Sequence, residues 1–521
     1  MVRMTRLVAG SLSLSLSLLV AVGCGGDKKA GGAAGSGGSA GGSGAASVAP
    51  LAVPPLGVDA VKKLNYTYGA AAKEYDKVIA AYKATPRDWA AIKTAAAATL
   101  AKDADHLDAR WALGEALANT GDAPGAATAL VTALAADWLR WGPGLAKDPD
   151  LAAFLATPSG KALLDASTAL GAAVDKALAE QPLVLARRSG WKLPKPGTGY
   201  AATRGELYAY DLEQKRFLRV THTDHTLAAA LPGPSGELLL AGFTQAQVAD
   251  PTKIKGAGRD AGAAAAPLLT RSWVSAWNPK DKTVTSAQAA VPKARFVWAG
   301  WGPGEQIVIM TATAAGRWAP GVFTSYVVDR ATGKLTKSKD AVADGPHVQM
   351  TLDDVAVVAP PAWPEAVAPD VTDKLAAVVP GDERGNPELS SVALSPGGGR
   401  LAFATATDPC KDADDAAKPS LYVADAKTGA YKHVLTAASR FGVQWLGDDR
   451  LLYEDGSGAL RIYDAAAGRE IGKISERAGL ALRVLPPSAA PLCQTEPPVE
   501  DPDAIDDLPT EDPMTDPAAT P

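Results

Sequence analysis

Near residue 200 the spacing of apolar residues changes from three-and-four to two, so the chain has to build a helical part and a strand part with different packing rules. Upstream, Val58, Val61, Leu64, Tyr68, Ala72, Tyr75, Ile79 and Tyr82 fall on one stripe and predict a helix over residues 58–82. Thr85-Pro86 closes it, with Pro86 suited to the first turn of a second helix that reaches about Lys102. Residues 106–119 and 122–135 read as a helical hairpin about Thr120-Gly121, and a further helical segment spans 148–179. Alanine supplies much of the 47% hydrophobic content and aromatic residues only 6%. Because alanine buries little area, packing is expected to be helical or shallow in many places.

Downstream, five short strands close on an acid or amide: 207–211 at Asp211, 273–278 at Asn278, 326–329 at Asp329, 421–425 at Asp425 and 460–464 at Asp464. Such a residue can accept hydrogen bonds from the turn amides ahead of it, and the glycines of Ala331-Thr332-Gly333 and Ala426-Lys427-Thr428-Gly429 supply the positive φ a hairpin needs. A turn-then-strand unit alternates with these strands, at Gly233–Leu240, Gly302–Ile309, Ser395–Phe403 and Trp445–Tyr453. The closing residues lie 67, 51, 96 and 39 positions apart. With 96 read as two units, and 67 as one unit plus the low-complexity stretch 246–267, the repeat is about 40 to 50 residues, the size of a four-stranded propeller blade. About six blades are expected. A two-sheet sandwich predicts no such recurrence.

Two resemblances attach to these patterns. Leu113, Gly114, Leu117, Gly121, Ala126, Leu130 and Ala133 have the spacing of a tetratricopeptide repeat, with Trp138 where that family has proline. The resemblance implies a concave groove for a peptide or protein. A helical spacer or cap without a ligand is the alternative, since a lone repeat cannot bury its own face. The turn-then-strand units resemble those of TolB-like and related WD40-like propellers, Ser395-Pro396-Gly397-Gly398-Gly399-Arg400-Leu401-Ala402-Phe403 most closely, with Gly397 where that family has Asp.

The N-terminus reads as an address. Arg3 and Arg6 precede an apolar stretch from Leu7 to Val22 that is interrupted by serines and too short to span a bilayer, followed by Ala21-Val22-Gly23-Cys24. These last residues resemble the lipobox of bacterial lipoprotein precursors, with Ala21 where a larger aliphatic residue is usual. The resemblance implies lipidation of Cys24 and removal of residues 1–23. Gly25–Ala46 is a Gly/Ala/Ser tether, in which the G-x-S-x-G match at residues 37–41 lacks the strand-to-helix elbow a nucleophile needs. At the other end, residues 494–521 carry nine acids and no Lys or Arg, with seven prolines, a disordered composition. The overall charge of −5 does not describe a nucleic-acid binder.

Little chemistry is encoded. With Cys24 assigned to lipid, Cys410 and Cys493 are an even pair in an exported chain, and a disulfide between them is expected. His222-Thr223-Asp224-His225 is the sole histidine cluster, too few ligands for a metal and better read as a solvated loop. The acids between Asp408 and Asp415 lack a calcium-loop pattern, and neither a phosphate-binding loop nor a dinucleotide fingerprint occurs.

The expected organisation is therefore a multidomain α plus β protein. It has a signal peptide (1–23), a tether (24–55), a short tetratricopeptide-like helical array (56–185), an all-β propeller (186–487) and an acidic tail (488–521). The expected role is a non-enzymatic interaction platform without a cofactor. It would be anchored in the bacterial envelope through Cys24, at the outer membrane or cell surface, with an envelope protein or peptide as partner and no nucleic acid. A propeller enzyme, a lyase or hydrolase with a central-channel site, and a structural stand-off module are the alternatives.

Overall fold

A computed structural model describes residues 50–64, 71–187, 205–223, 226–243, 272–292, 294, 296–312, 323–342, 345–350, 355–358, 363–378, 389–405, 418–436, 442–455, 459–476, 478–480 and 484–485. Cys24, Cys410 and Cys493, and the acidic tail, lie outside them.

The helical part is made of α1 (Ala72–Lys83), α2 (Trp89–Lys102), α3 (Leu107–Asn119), α4 (Ala123–Ala136), the one-turn α5 (Trp138–Trp141) and α6 (Ala152–Leu155), and the long α7 (Pro158–Glu180). Side chains fix the starts: Asp88 accepts from Ala91 N at 2.9 Å, Asp122 from Gly125 N at 3.0 Å and Thr157 from Gly160 N at 3.1 Å, satisfying amides that have no partner inside their own helix. The hairpin of α3 and α4 turns at Gly121, whose φ of +91° suits a residue without Cβ. Gly114 lets the two helices close, since a Cβ there would stand 2.5 Å from Leu130 Cγ.

Three expectations change. The 58–82 stripe is not one helix: Val61–Lys63 form a 3-10 turn and α1 begins only at Ala72. Val58, Val61 and Leu64 are buried against the first β-sheet, so their apolar spacing answers to that sheet rather than to a helix face. Pro86 precedes α2 instead of opening it, because Asp88 caps the helix at Trp89. Residues within the expected tether are also ordered into the fold, with Leu51 packed on the helical core.

Five sheets follow. The first joins β1 (Leu183–Arg187), β2 (Gly205–Asp211) and β3 (Arg216–Arg219); the second is an antiparallel meander of β4 (Thr226–Pro232), β5 (Leu238–Phe243), β6 (Ser272–Asn278) and β7 (Thr283–Ala290). The third contains β8 (Phe296–Gly302), β9 (Gln306–Ala312), β10 (Thr324–Val328), β11 (Leu335–Ser338), β12 (His347–Met350) and β13 (Val355–Val358). Beyond α8 (Pro369–Ala376) come two further meanders. One is β14 (Leu389–Leu394), β15 (Arg400–Thr405), β16 (Ser420–Asp425) and β17 (Tyr431–Thr436). The other is β18 (Val443–Leu446), β19 (Arg450–Glu454), β20 (Leu460–Asp464) and β21 (Arg469–Lys473).

The chain then returns. β22 (Ala478–Leu480) adds to the free edge of β1, pairing Val184 with Leu480 and Ala186 with Ala478, and β23 (Val484–Leu485) pairs in parallel with β13. Among the described residues there are thus five sheets, four of four strands and one of seven. β12 lies antiparallel on the open edge of β8, matching Val348 to Ala299, and this draws β12, β13 and β23 into a seven-stranded third sheet.

The strand-closing residues sit at the hairpins. Asp211 Oδ1 accepts from Glu213 N and Gln214 N at 2.9 and 2.8 Å, Asn278 from Lys280 N and Asp281 N, Asp329 from Ala331 N and Thr332 N, Asp425 from Lys427 N and Thr428 N, and Asp464 from Ala467 N. Each satisfies turn amides that the ladder leaves over.

The helical part is not a bead on a string. Val174 and Ala177 of α7 are buried with Leu185, Leu207, Leu218 and Trp273, while Leu107 and Ala136 are buried with Val184, Tyr208 and Phe217. Two apolar clusters therefore run from the helices into the first sheet.

Candidate functional site

α1, α3 and α5 enclose a groove of about 410 Å³. Ile79 and Tyr82 come from α1, Asp108, Trp111 and Glu115 from consecutive turns of α3, and Arg140 and Trp141 from α5. Spacings of three and four put the α3 residues on one face. α5 is held in place by Trp138, whose indole Nε1 donates to Ser167 O on α7 at 2.9 Å and whose ring lies on Gly171, where a Cβ would come within 2.8 Å. That wedge occupies the position where the repeat family has proline.

Glu115 is the focus of the groove. It is 6% exposed, its Oε1 accepts from Trp111 Nε1 at 2.7 Å and its Oε2 from the Tyr82 hydroxyl. Burial pushes its carboxyl up to about 7 and the acids Asp148 and Asp150 push the same way, against the two donated hydrogen bonds. Trp111 and Trp141 stack with centroids 5.3 Å apart and planes 5° from parallel. The Arg140 guanidinium lies 4.6 Å over Trp141 and reaches Asp108 Oδ1 at 2.7 Å. Asp108 is fully buried, and burial outweighs Arg140 in lifting its carboxyl well above the usual carboxylate range. At the rim Arg87 pairs with Asp150 and stands 5.7 Å from the rings of both Tyr82 and Trp89. The combination of flat aromatic walls, a buried Glu115 held by two donors and charged rim groups suits an extended peptide, which presents apolar side chains beside backbone donors and acceptors.

A second polar cluster lies where the helices meet the first sheet. Arg219 donates through Nη2 to Glu206 Oε1 at 2.9 Å and through Nε to Thr221 O at 2.6 Å, with Nη1 3.8 Å from Asp137 Oδ2. Thr221 Oγ1 donates to Glu206 Oε2 at 2.6 Å. The three charged side chains are 2% exposed or less. His222 Nε2 lies 2.7 Å from Asp137 Oδ1, and burial depresses the imidazole despite that carboxylate. His222 is thus tied into the junction rather than sitting in a solvated loop; Asp224 and His225 are outside the described residues. Among the described residues no three His, Cys, Asp or Glu side chains are grouped to hold a metal.

The repeat-like residues occupy the inner side of the α3–α4 hairpin. Ala126, Leu130 and Ala133 are fully buried, Leu117 is buried beside them, and Leu113 is half-buried. They pack the hairpin and do not line the groove, whose residues Trp111, Glu115, Arg140 and Trp141 sequence reasoning missed. The one available signal was the i, i+4 pair Trp111 and Glu115 on a helix otherwise rich in alanine.

No family model matches this chain, and none of the curated proteins is similar to it. Solved structures give distant likenesses. TolB from Acinetobacter baumannii aligns at 10% identity over 64% of this chain and 74% of its own, with a TM-score of 0.28. The computationally designed Ika8 protein aligns at 12% identity over 57% and 76%, with a TM-score of 0.19. Pyrococcus horikoshii acylaminoacyl peptidase aligns at 13% identity over 52% and 42%, with a TM-score of 0.23. What holds for this chain is a helical region followed by several largely antiparallel sheets. Among the described residues no helix is long and apolar enough to cross a membrane.

Proposed function

We propose that this protein is a non-enzymatic interaction platform of the bacterial envelope that captures a peptide segment of a partner protein in the α1–α3–α5 groove. The observation that carries the reading is the groove itself, with stacked Trp111 and Trp141 beside Glu115 held by two donors. In this reading the helices act as a tetratricopeptide-like array, and the sheets act as TolB-like propeller blades, about six, closed by β22 on β1. Cys24 carries the lipid and Cys410 pairs with Cys493. Three of the five sheets being four-stranded meanders, with the last strands returning to earlier sheets, supports the propeller arrangement.

The test is a peptide array probed with the mature full-length chain, followed by titration of the strongest peptides under tryptophan fluorescence. Saturable binding that drops at least about tenfold in Trp111→Ala, the size expected for loss of a central aromatic anchor, is the expected result. Absence of any saturable peptide, or binding that Trp111→Ala leaves unchanged, refutes the reading.

A further inference from the structure

A separate cavity of about 210 Å³ lies on the other side of α3, between the segment 54–63, the α3–α4 hairpin and β3. Arg110 and Arg216 both line it. Arg110 is 8% exposed and makes one hydrogen bond, Nη2 to Ala104 O at a long 3.3 Å, leaving its Nε without a partner. Arg216 donates Nε to Leu56 O at 2.8 Å and Nη2 to Pro55 O at 3.1 Å and to Gly57 O. Among the described residues neither guanidinium forms an ion pair with a carboxylate, although each side chain is the kind that elsewhere in this chain takes one. The remaining cation of the cavity wall, Lys63, is matched by Asp59 at 2.8 Å. Asp105, also in the wall, is the acid nearest in influence to Arg110, and burial raises its carboxyl.

A buried guanidinium has five donors and cannot shed its proton under ordinary conditions, so leaving it with one long bond to a neutral carbonyl is costly. Desolvation alone is enough to bring the Arg110 guanidinium down to about 10. The wall carries three cations against two acids, one acid already engaged. At ~30 Å³ per water, the cavity has room for a carboxylate or phosphate group with a few waters around it. The forked donors of arginine match the paired oxygens of such groups.

We propose that this cavity is a binding site for a small oxyanion of the phosphate or carboxylate class, held between Arg110 and Arg216. Because Arg110 comes from α3 and Arg216 from β3, the bound anion ties the helical part to the first sheet. The site is independent of the peptide groove.

The test uses the full-length protein in a buffer without oxyanions, at ionic strength held constant with sodium chloride. It is titrated calorimetrically with sodium phosphate and, separately, sodium acetate. At least one anion is expected to bind saturably. Arg216→Gln should weaken it about tenfold, the value of one charge-assisted hydrogen bond. Arg110→Gln should do the same; should that variant fail to fold, Arg216→Gln, which removes a side chain bonded only to carbonyls, carries the test. Asp105→Asn removes a like charge and should tighten binding several-fold, whereas Lys161→Gln, an exposed lysine of α7 that lines neither cavity nor groove, should change nothing. Failure of both anions to saturate overturns the proposal. So does affinity that Arg216→Gln leaves intact, or Asp105→Asn weakening the anion, since removing a negative charge from the wall of an anion site must not reduce affinity.

Discussion

Replacing Glu115 by glutamine isolates the electrostatics of the groove. Burial raises the Glu115 carboxyl from its ordinary value of 4.5 to about 7, so between these two values the unfolded chain has released the proton while the folded chain still holds it. A group whose folded value is raised in this way binds more protons when folded, and it therefore subtracts stability as pH rises through that window. At ~1.4 kcal/mol per unit the full loss is about 3 kcal/mol, complete above the folded value. Glu115→Gln keeps the shape and cannot ionise. Urea unfolding midpoints measured from pH 4 to 8 on both proteins, with tryptophan fluorescence as the probe, should converge near pH 4. Above pH 7 the variant should be the more stable by about 3 kcal/mol. Other groups titrate in the same range, including His222, whose depressed value acts with the opposite sign, but they are common to both proteins and cancel in the difference. Parallel curves, with a difference that stays constant across the window, would falsify the assignment of Glu115 as a desolvated acid.

Three further outcomes follow from packing, charge and export. Gly114→Ala gains helix propensity of up to ~1 kcal/mol but drives a methyl into buried Leu130, a clash of ~1 to 3 kcal/mol. A net loss in urea unfolding is therefore expected, and the double variant with Leu130→Ala should lose less than the sum; strict additivity would show that the helices have room to part. Arg219→Met removes the cation set between buried Glu206 and Asp137, and a loss of ~3 to 5 kcal/mol is expected, against which a change under 1 kcal/mol in the same assay would count decisively. Cys410 and Cys493 in the native, non-reduced protein should give no reaction with a thiol reagent, and two titratable thiols would remove the disulfide from the proposal.

Legibility in the sequence tracked how local each feature is. Asp425 and Asp464 announce their hairpins because the amides they bond are two or three residues away, within reach of any reading of the chain. The α3–α4 hairpin was equally visible, since its turn and its caps are all contained in residues 106–137. Val58 and Val61 misled for the opposite reason: their spacing mimics a helix face, but their partners are Phe217 and Tyr208, well over a hundred positions along. The peptide groove failed similarly. Glu115 has the look of an ordinary exposed helix acid until Tyr82 donates to it from α1 and Trp141 of α5 stacks on its partner Trp111. Arg219, buried in a strand next to apolar neighbours, has no meaning until Glu206 and Asp137 arrive from elsewhere. The third sheet departs from the expected repeat because edge-to-edge pairing of β12 with β8 is a choice between equivalent backbones, and side-chain pattern does not decide it.

The return of Ala478–Leu480 to Val184–Ala186 sets the order in which the molecule can be finished. The two partners are separated by roughly 300 residues, so this pairing is among the last that chain entropy allows. Until then β1 has β2 on one side and bare amides and carbonyls on the other, a template for strand addition by any neighbouring chain. A polypeptide cut short by a few dozen residues beyond residue 476 would keep every helix and nearly every strand, yet stay permanently open at that seam. Such a fragment would be sticky rather than unfolded, because the open β1 edges of two copies could pair with each other in place of the lost strand.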